Sequence, residues 1–101
     1  MPLFGARPVA VGLDRQTLAF DPAALREALT PRTRAVVVNT PGNPSGKVWT
    51  RGELEQLAAV LDGSDILVLT DEVYEYMCFD GRAHCSPATV PGLAERTLTM
   101  N

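Results

Sequence analysis

"VVVNTPGNPSGKVW", from Val36 to Trp49, decides how this chain is read. Three consecutive valines are β-branched, stiff at χ1 and suited to a pleated strand. An unbroken apolar strand, Ala35–Asn39, fits a parallel sheet covered on both faces. Between Asn39 and Lys47 stand two prolines, two glycines and two asparagines, so the strand ends in a sharply shaped loop.

The pattern changes period on either side of that stretch. Thr50-x-x-Glu53 reads as a capping box, each side chain accepting a backbone N–H at the start of a helix. Leu54, Leu57, Ala58 and Leu61 then recur at helical spacing, and Gly63 is a natural stop. Ile66–Thr70 reads as a second buried strand, with "DEVYE", Asp71–Glu75, at its carboxyl end. Upstream, Asp21 as N-cap and Pro22 at the first position open a helix. Leu25, Ala28 and Leu29 give that helix its buried face, and Pro31 stops it. Val9–Leu13 reads as a first strand and Thr17–Phe20 as a brief extended piece. After an irregular segment marked by Asp80-Gly81 and Ser86-Pro87, Arg96–Met100 alternates as a last strand. Strand–helix–strand order predicts an α/β fold: a mostly parallel sheet with flanking helices and right-handed crossovers. Ligands of such sheets gather at the carboxyl ends of strands, where both Asn39–Lys47 and Asp71–Glu75 fall.

Composition narrows the classes. A chain of 101 residues suffices for one small domain. The longest apolar runs are too short to span a membrane, and Arg7 and Pro8 interrupt any export signal. Residues 1–50 carry six basic and three acidic side chains, and residues 51–101 three and nine. That acidic second half argues against a nucleic-acid surface. Cys78, His84 and Cys85 lack the spacing of a metal site, so none is expected. Two free thiols in a reducing cytoplasm are expected instead.

Two site chemistries compete for the loop. Gly42-x-x-x-Gly46-Lys47 approaches a nucleotide phosphate loop. It is one residue short between its glycines, has Val48 where magnesium needs a hydroxyl, and loses a loop N–H at Pro44. The other chemistry is a flat heteroaromatic ring. Asp71, at the end of a buried strand, would be satisfied by a cationic ring nitrogen. Tyr74 supplies a phenol and Asn43 a carboxamide for a ring oxygen. Each also has a plainer use: Asn43-Pro44 and Gly46 as turn residues, Asp71 as the cap of a local turn, Tyr74 as half-buried packing.

"NTPGNPSG" followed by "DEVYE" resembles the class I/II, fold-type I aminotransferases that use pyridoxal 5'-phosphate. The nearest branch holds kynurenine/glutamine-type and methionine-type aminotransferases and cysteine-conjugate β-lyases. The resemblance implies that residues 1–101 are a fragment of the large domain, truncated at both ends. It implies that Asp71 pairs with the pyridine nitrogen, Tyr74 with the ring's phenolic oxygen, and Asn43 with that oxygen and the substrate carboxylate. It also implies a cis Asn43–Pro44 peptide, a homodimer, and amino-acid and 2-oxo-acid substrates. The family's cofactor-bearing lysine follows the strand corresponding to Arg96–Met100, so the resemblance puts it beyond Asn101. The family's phosphate-binding residues and its carboxylate-clamping arginine have no match here either. No catalytic residue is therefore expected between Met1 and Asn101, and the isolated chain is expected to be inactive. Lys47 follows the wrong motif to be that lysine. Glu72 and Glu75 are expected to be structural or surface residues, and Trp49 and Tyr76 to pack. A β-lyase fragment and a non-catalytic interaction module remain the alternatives.

Overall fold

The computed structural model describes residues 5–101. Helix α1, Pro22–Ala28, starts where Asp21 accepts the N–H groups of Ala23 and Ala24. Strand β1, Ala35–Asn39, has the bounds its valines predict. Helix α2, Arg51–Leu61, opens on a complete capping box: Thr50 Oγ1 accepts Glu53 N–H at 3.1 Å and Glu53 Oε2 accepts Thr50 N–H at 2.9 Å. It closes before Gly63, whose φ of +74° a residue with a Cβ rarely adopts. Strands β2, Leu67–Asp71, and β3, Thr97–Met100, follow.

The three strands run parallel in the order β1–β2–β3. Val37 pairs with Leu69, and Leu69 with Leu98. One side chain in two therefore faces the helices: Val38 and Val68 are buried there with Leu25 of α1 and Leu54, Leu57 and Leu61 of α2. Burying each leucine contributes roughly 1.5–3 kcal/mol. Phe20, Trp49, Ile66, Val90 and Leu93 complete this core. Arg96 closes its lower end, with Nη1 3.1 Å from Leu61 O, Ser64 Oγ and Ile66 O.

Four expectations are corrected. Val9–Leu13 is not a strand: Val11 and Leu13 pack on the core, but the segment has no ladder partner among the described residues. Thr17–Phe20 is not extended throughout, because Asp14 Oδ1 gathers the N–H groups of Gln16 and Thr17 into a turn and Leu18 sits at φ +59°. The last strand begins at Thr97, Arg96 lying in a 3₁₀ turn. Finally, the described residues cover only one face of the sheet. Both helices share the side of Val38 and Val68, and Val37, Leu67, Leu98 and Met100 stand exposed on the other.

Candidate functional site

Hydrogen bonds at the strand tips fix the loops that follow them. Thr40 N–H extends the ladder to Asp71 O at 3.0 Å, and Glu72 N–H reaches Met100 O at 2.8 Å. The fully buried Thr40 hydroxyl accepts Trp49 N–H at 3.0 Å, drawing the far end of the loop back to the strand. Inside, Gly42 N–H donates to Lys47 O and Gly46 N–H to Gly42 O, both at 2.8 Å. Gly46 turns at φ +72°. The Thr40–Pro41 and Asn43–Pro44 peptides are both cis, the second as the resemblance implies.

This loop is one wall of a hollow of about 290 Å³, lined by Pro41, Gly42, Asn43, Pro44, Gly46 and Val48. The facing wall is Tyr74, Met77, Phe79, Asp80 and Arg82. Asp80 and Gly81, both at positive φ, turn that wall back on itself. Asn43 and Tyr74, singled out from sequence, thus come together. Asp71 does not line the hollow. It is half-buried at the tip of β2, in register with Asn39 and Met100, and its Oδ1 accepts Val73 N–H at 3.2 Å. Asn101 follows the tip of β3, is exposed, and does not line the hollow either.

Lys47 is 7% exposed, and its ammonium is committed elsewhere. It donates to Glu53 Oε1 at 2.8 Å and lies 5.3 Å from the Trp49 ring centroid. Trp49 packs on Phe20 at 4.9 Å, as a packing residue should. Tyr76 does not pack: it is 93% exposed. It lies in a short, turn-rich stretch after β2, and no helix or strand among the described residues buries it.

The residue least visible from sequence is Glu72, which is 3% exposed. His84 Nε2–H donates to its Oε2 at 2.8 Å and Ser86 Oγ–H to its Oε1 at 2.7 Å. These partners lie 12 and 14 residues from Glu72 in the chain, beyond any local pattern. Ligand-capable atoms of Glu72, Glu75 and His84 lie within 4.8 Å of one another. Glu72 already uses both oxygens on His84 and Ser86. Cys78 and Cys85 are free thiols.

The sequence profile of the family "Aminotransferase class I and II" matches residues 4–100. The chain belongs to the class I and II aminotransferase family. It is 43% identical to human kynurenine–oxoglutarate transaminase 1, over 95% of this chain and 25% of that protein. It is 44% identical to a probable N-succinyldiaminopimelate aminotransferase of Mycobacterium tuberculosis, over 96% of this chain and 25% of that one. Among solved family members, an aromatic aminotransferase from Pyrococcus horikoshii OT3 superposes with a TM-score of 0.85 at 36% identity, covering 92% of this chain and 25% of the other. The M. tuberculosis N-succinyldiaminopimelate aminotransferase structure gives 0.76 at 43% identity, over 92% and 23%. The chain thus spans about a quarter of the length of the curated relatives it matches. No helix among the described residues is long and apolar enough to cross a membrane.

Proposed function

We propose that this chain is part of the large domain of a pyridoxal 5'-phosphate-dependent aminotransferase, acting in the cytoplasm as a homodimer. In this reading the complete protein moves an amino group between an amino acid and a 2-oxo acid, and its cofactor-bearing lysine belongs to the part of the protein beyond Asn101. One observation carries it: Asn43 and Tyr74, from loops after two neighbouring strands, line a single hollow. Its volume approaches the smallest typical ligand sites, and its lining mixes apolar Pro41, Val48, Met77 and Phe79 with polar Asn43, Tyr74, Asp80 and Arg82.

The donor set fits a pyridine ring bearing an oxygen. The Tyr74 hydroxyl donates to that oxygen, and the Asn43 carboxamide holds it and orients a substrate carboxylate. Asp71 has committed Oδ1 to the Val73 N–H. Asp71 lies outside the lining of the hollow, so its other oxygen would meet the charged ring nitrogen only if the ring extends past that lining to the β2 tip, where an anion would favour the protonated form. When bound, the cofactor supplies an electron sink through that protonated nitrogen. Lys47, the sole lysine of the sequence, is tied to Glu53 and supplies no free amine, so the chain alone has no lysine to carry the substrate proton. Carbon–sulfur β-elimination would call on the same three residues, and the substrate alone would separate the two reactions.

Titration of the chain with pyridoxal phosphate, followed by Trp49 fluorescence, tests this reading. Saturable binding is expected, weakened about tenfold in Asn43→Ala and in Tyr74→Phe. Affinity equal to the parent's in both variants would remove the assignment. Borohydride reduction is expected to leave no adduct on Lys47, and an adduct there would overturn the account of that lysine.

A further inference from the structure

The hollow wall that carries Tyr74 buries little apolar surface of its own: Val73, Tyr76, Met77 and Phe79 are all exposed. Hydrophobic burial therefore does not hold it in place. Its internal backbone bonds are local: Glu75 N–H to Glu72 O at 3.0 Å, Met77 N–H to Tyr74 O at 2.8 Å, and Arg82 N–H to Phe79 O at 3.2 Å. Local turns of this kind shape a segment without docking it.

Both ends of the wall are gathered on one carboxylate. Glu72 is anchored to the sheet through its N–H on Met100 O. Its Oε2 and Oε1 accept from His84 and Ser86, just past the far end of the wall. With Nε2–H turned to Glu72, His84 leaves Nδ1 buried and without a partner among the described residues, so the bond to Glu72 is the ring's one hydrogen bond there. A carboxylate suits this place because two donors arrive and both oxygens accept; an amide would turn an NH₂ toward one of them.

We propose that Glu72 is a positioning residue: clasped by His84 and Ser86, it closes the wall bearing Tyr74 against the loop bearing Asn43. Its meaning for the cofactor rests on the proposed function above, whereas the closure itself does not. The wall is a chain of roughly ten residues, short enough that one clasp at its base sets the placement of everything between.

Arg82, exposed and inside the wall, provides a readout of closure. Trypsin cleavage after Arg82 is measured beside amide exchange of Leu57 and Leu61 in α2. His84→Ala and Ser86→Ala are expected to speed that cleavage about tenfold while the α2 amides keep their protection. His84→Gln and Ser86→Thr, which retain a donor, return the rate to within about twofold of the parent. Pyridoxal phosphate affinity should fall and recover in the same order. Unchanged cleavage in both alanine variants would overturn the clasp. So would loss of α2 protection in step with cleavage in both alanine variants; Ser86→Ala also removes the cap that Ser86 Oγ gives Ala88 N–H, which His84→Ala leaves in place. The expected cleavage pattern in a chain that binds no pyridoxal phosphate would uphold the clasp and remove the cofactor reading instead.

Discussion

Lys47 and Glu53 meet at 2.8 Å and tie the loop after β1 to the first turn of α2. Glu53 also accepts the N–H groups of Phe20 and Thr50, both at 2.9 Å. One half-buried carboxylate thus joins three segments: the stretch entering α1, the loop and the start of α2.

Replacing Glu53 with Gln removes the charge while nearly preserving shape. A loss of about 1.5–3 kcal/mol is expected, since hydrogen bonds to a charged group are weakened and Lys47 is left buried without its counter-ion. Urea unfolding checks it, and a loss below about 0.5 kcal/mol would mean that the bonds to Phe20 and Thr50 persist with the amide.

The same residue sets a pH dependence. Burial works to raise the Glu53 pKa, but the bonds from Lys47, Thr50 and Phe20 together outweigh it and leave the value below its ordinary 4.5. A carboxyl depressed in the folded chain stabilises fully above its unfolded value, and that contribution disappears as pH falls through the folded one. The melting temperature of the parent should therefore fall below about pH 4.5 more steeply than that of Glu53→Gln. Parallel curves would assign the acid sensitivity to other carboxylates.

Leu57 is fully buried between α2 and the sheet. Leu57→Ala is expected to cost about 2–5 kcal/mol, from lost transfer energy and a cavity that rigid strands cannot close. In so small a domain that is enough to unfold much of the population at room temperature. Far-UV circular dichroism with a urea titration measures it.

These interactions are unequally legible in the sequence. The capping box of Thr50 and Glu53, the Asp21–Pro22 helix start and the three valines of β1 are local signals, and each lies where its spacing puts it. Val9–Leu13 carries the right alternation, with Val11 and Leu13 turned inward, yet a strand needs a neighbour, and pairing is not written in one segment. Asn43 and Tyr74 stand out through motifs at two strand tips. Glu72 does not, because its partners His84 and Ser86 come from a distant turn. Glu53 is recognisable as half of a capping box, but its bonds to Phe20 and Lys47 depend on packing.

The open sheet face carries its own expectation. Val37, Leu67, Leu98 and Met100 lie on the side away from the helices, each between 43% and 58% exposed. A contiguous apolar surface drives association. Sedimentation velocity at micromolar concentration should show species larger than the 10.9 kDa chain, and Leu98→Lys should shift them toward it. Identical profiles for parent and variant would mean that this face is not the contact.

Gly42 and Gly46 separate two reasons for a glycine in one loop. At Gly46 an added Cβ meets nothing within 4 Å, but φ is +72°, so Gly46→Ala is strained through the backbone alone, by about 1–2 kcal/mol. At Gly42 φ is not positive, and an added Cβ would lie 3.0 Å from Ser45 Oγ. That hydroxyl also accepts Lys47 N–H at 3.2 Å, so moving it loosens the turn. Gly42→Ala should therefore destabilise by about 1 kcal/mol. Adding Ser45→Ala to Gly42→Ala removes the clash, and the pair should cost less than the two single changes summed. The same addition to Gly46→Ala should be additive within about 0.5 kcal/mol, because nothing there is crowded. Additivity in both pairs, measured by urea unfolding, would show that Ser45 yields freely and that the Gly42 site tolerates a methyl group.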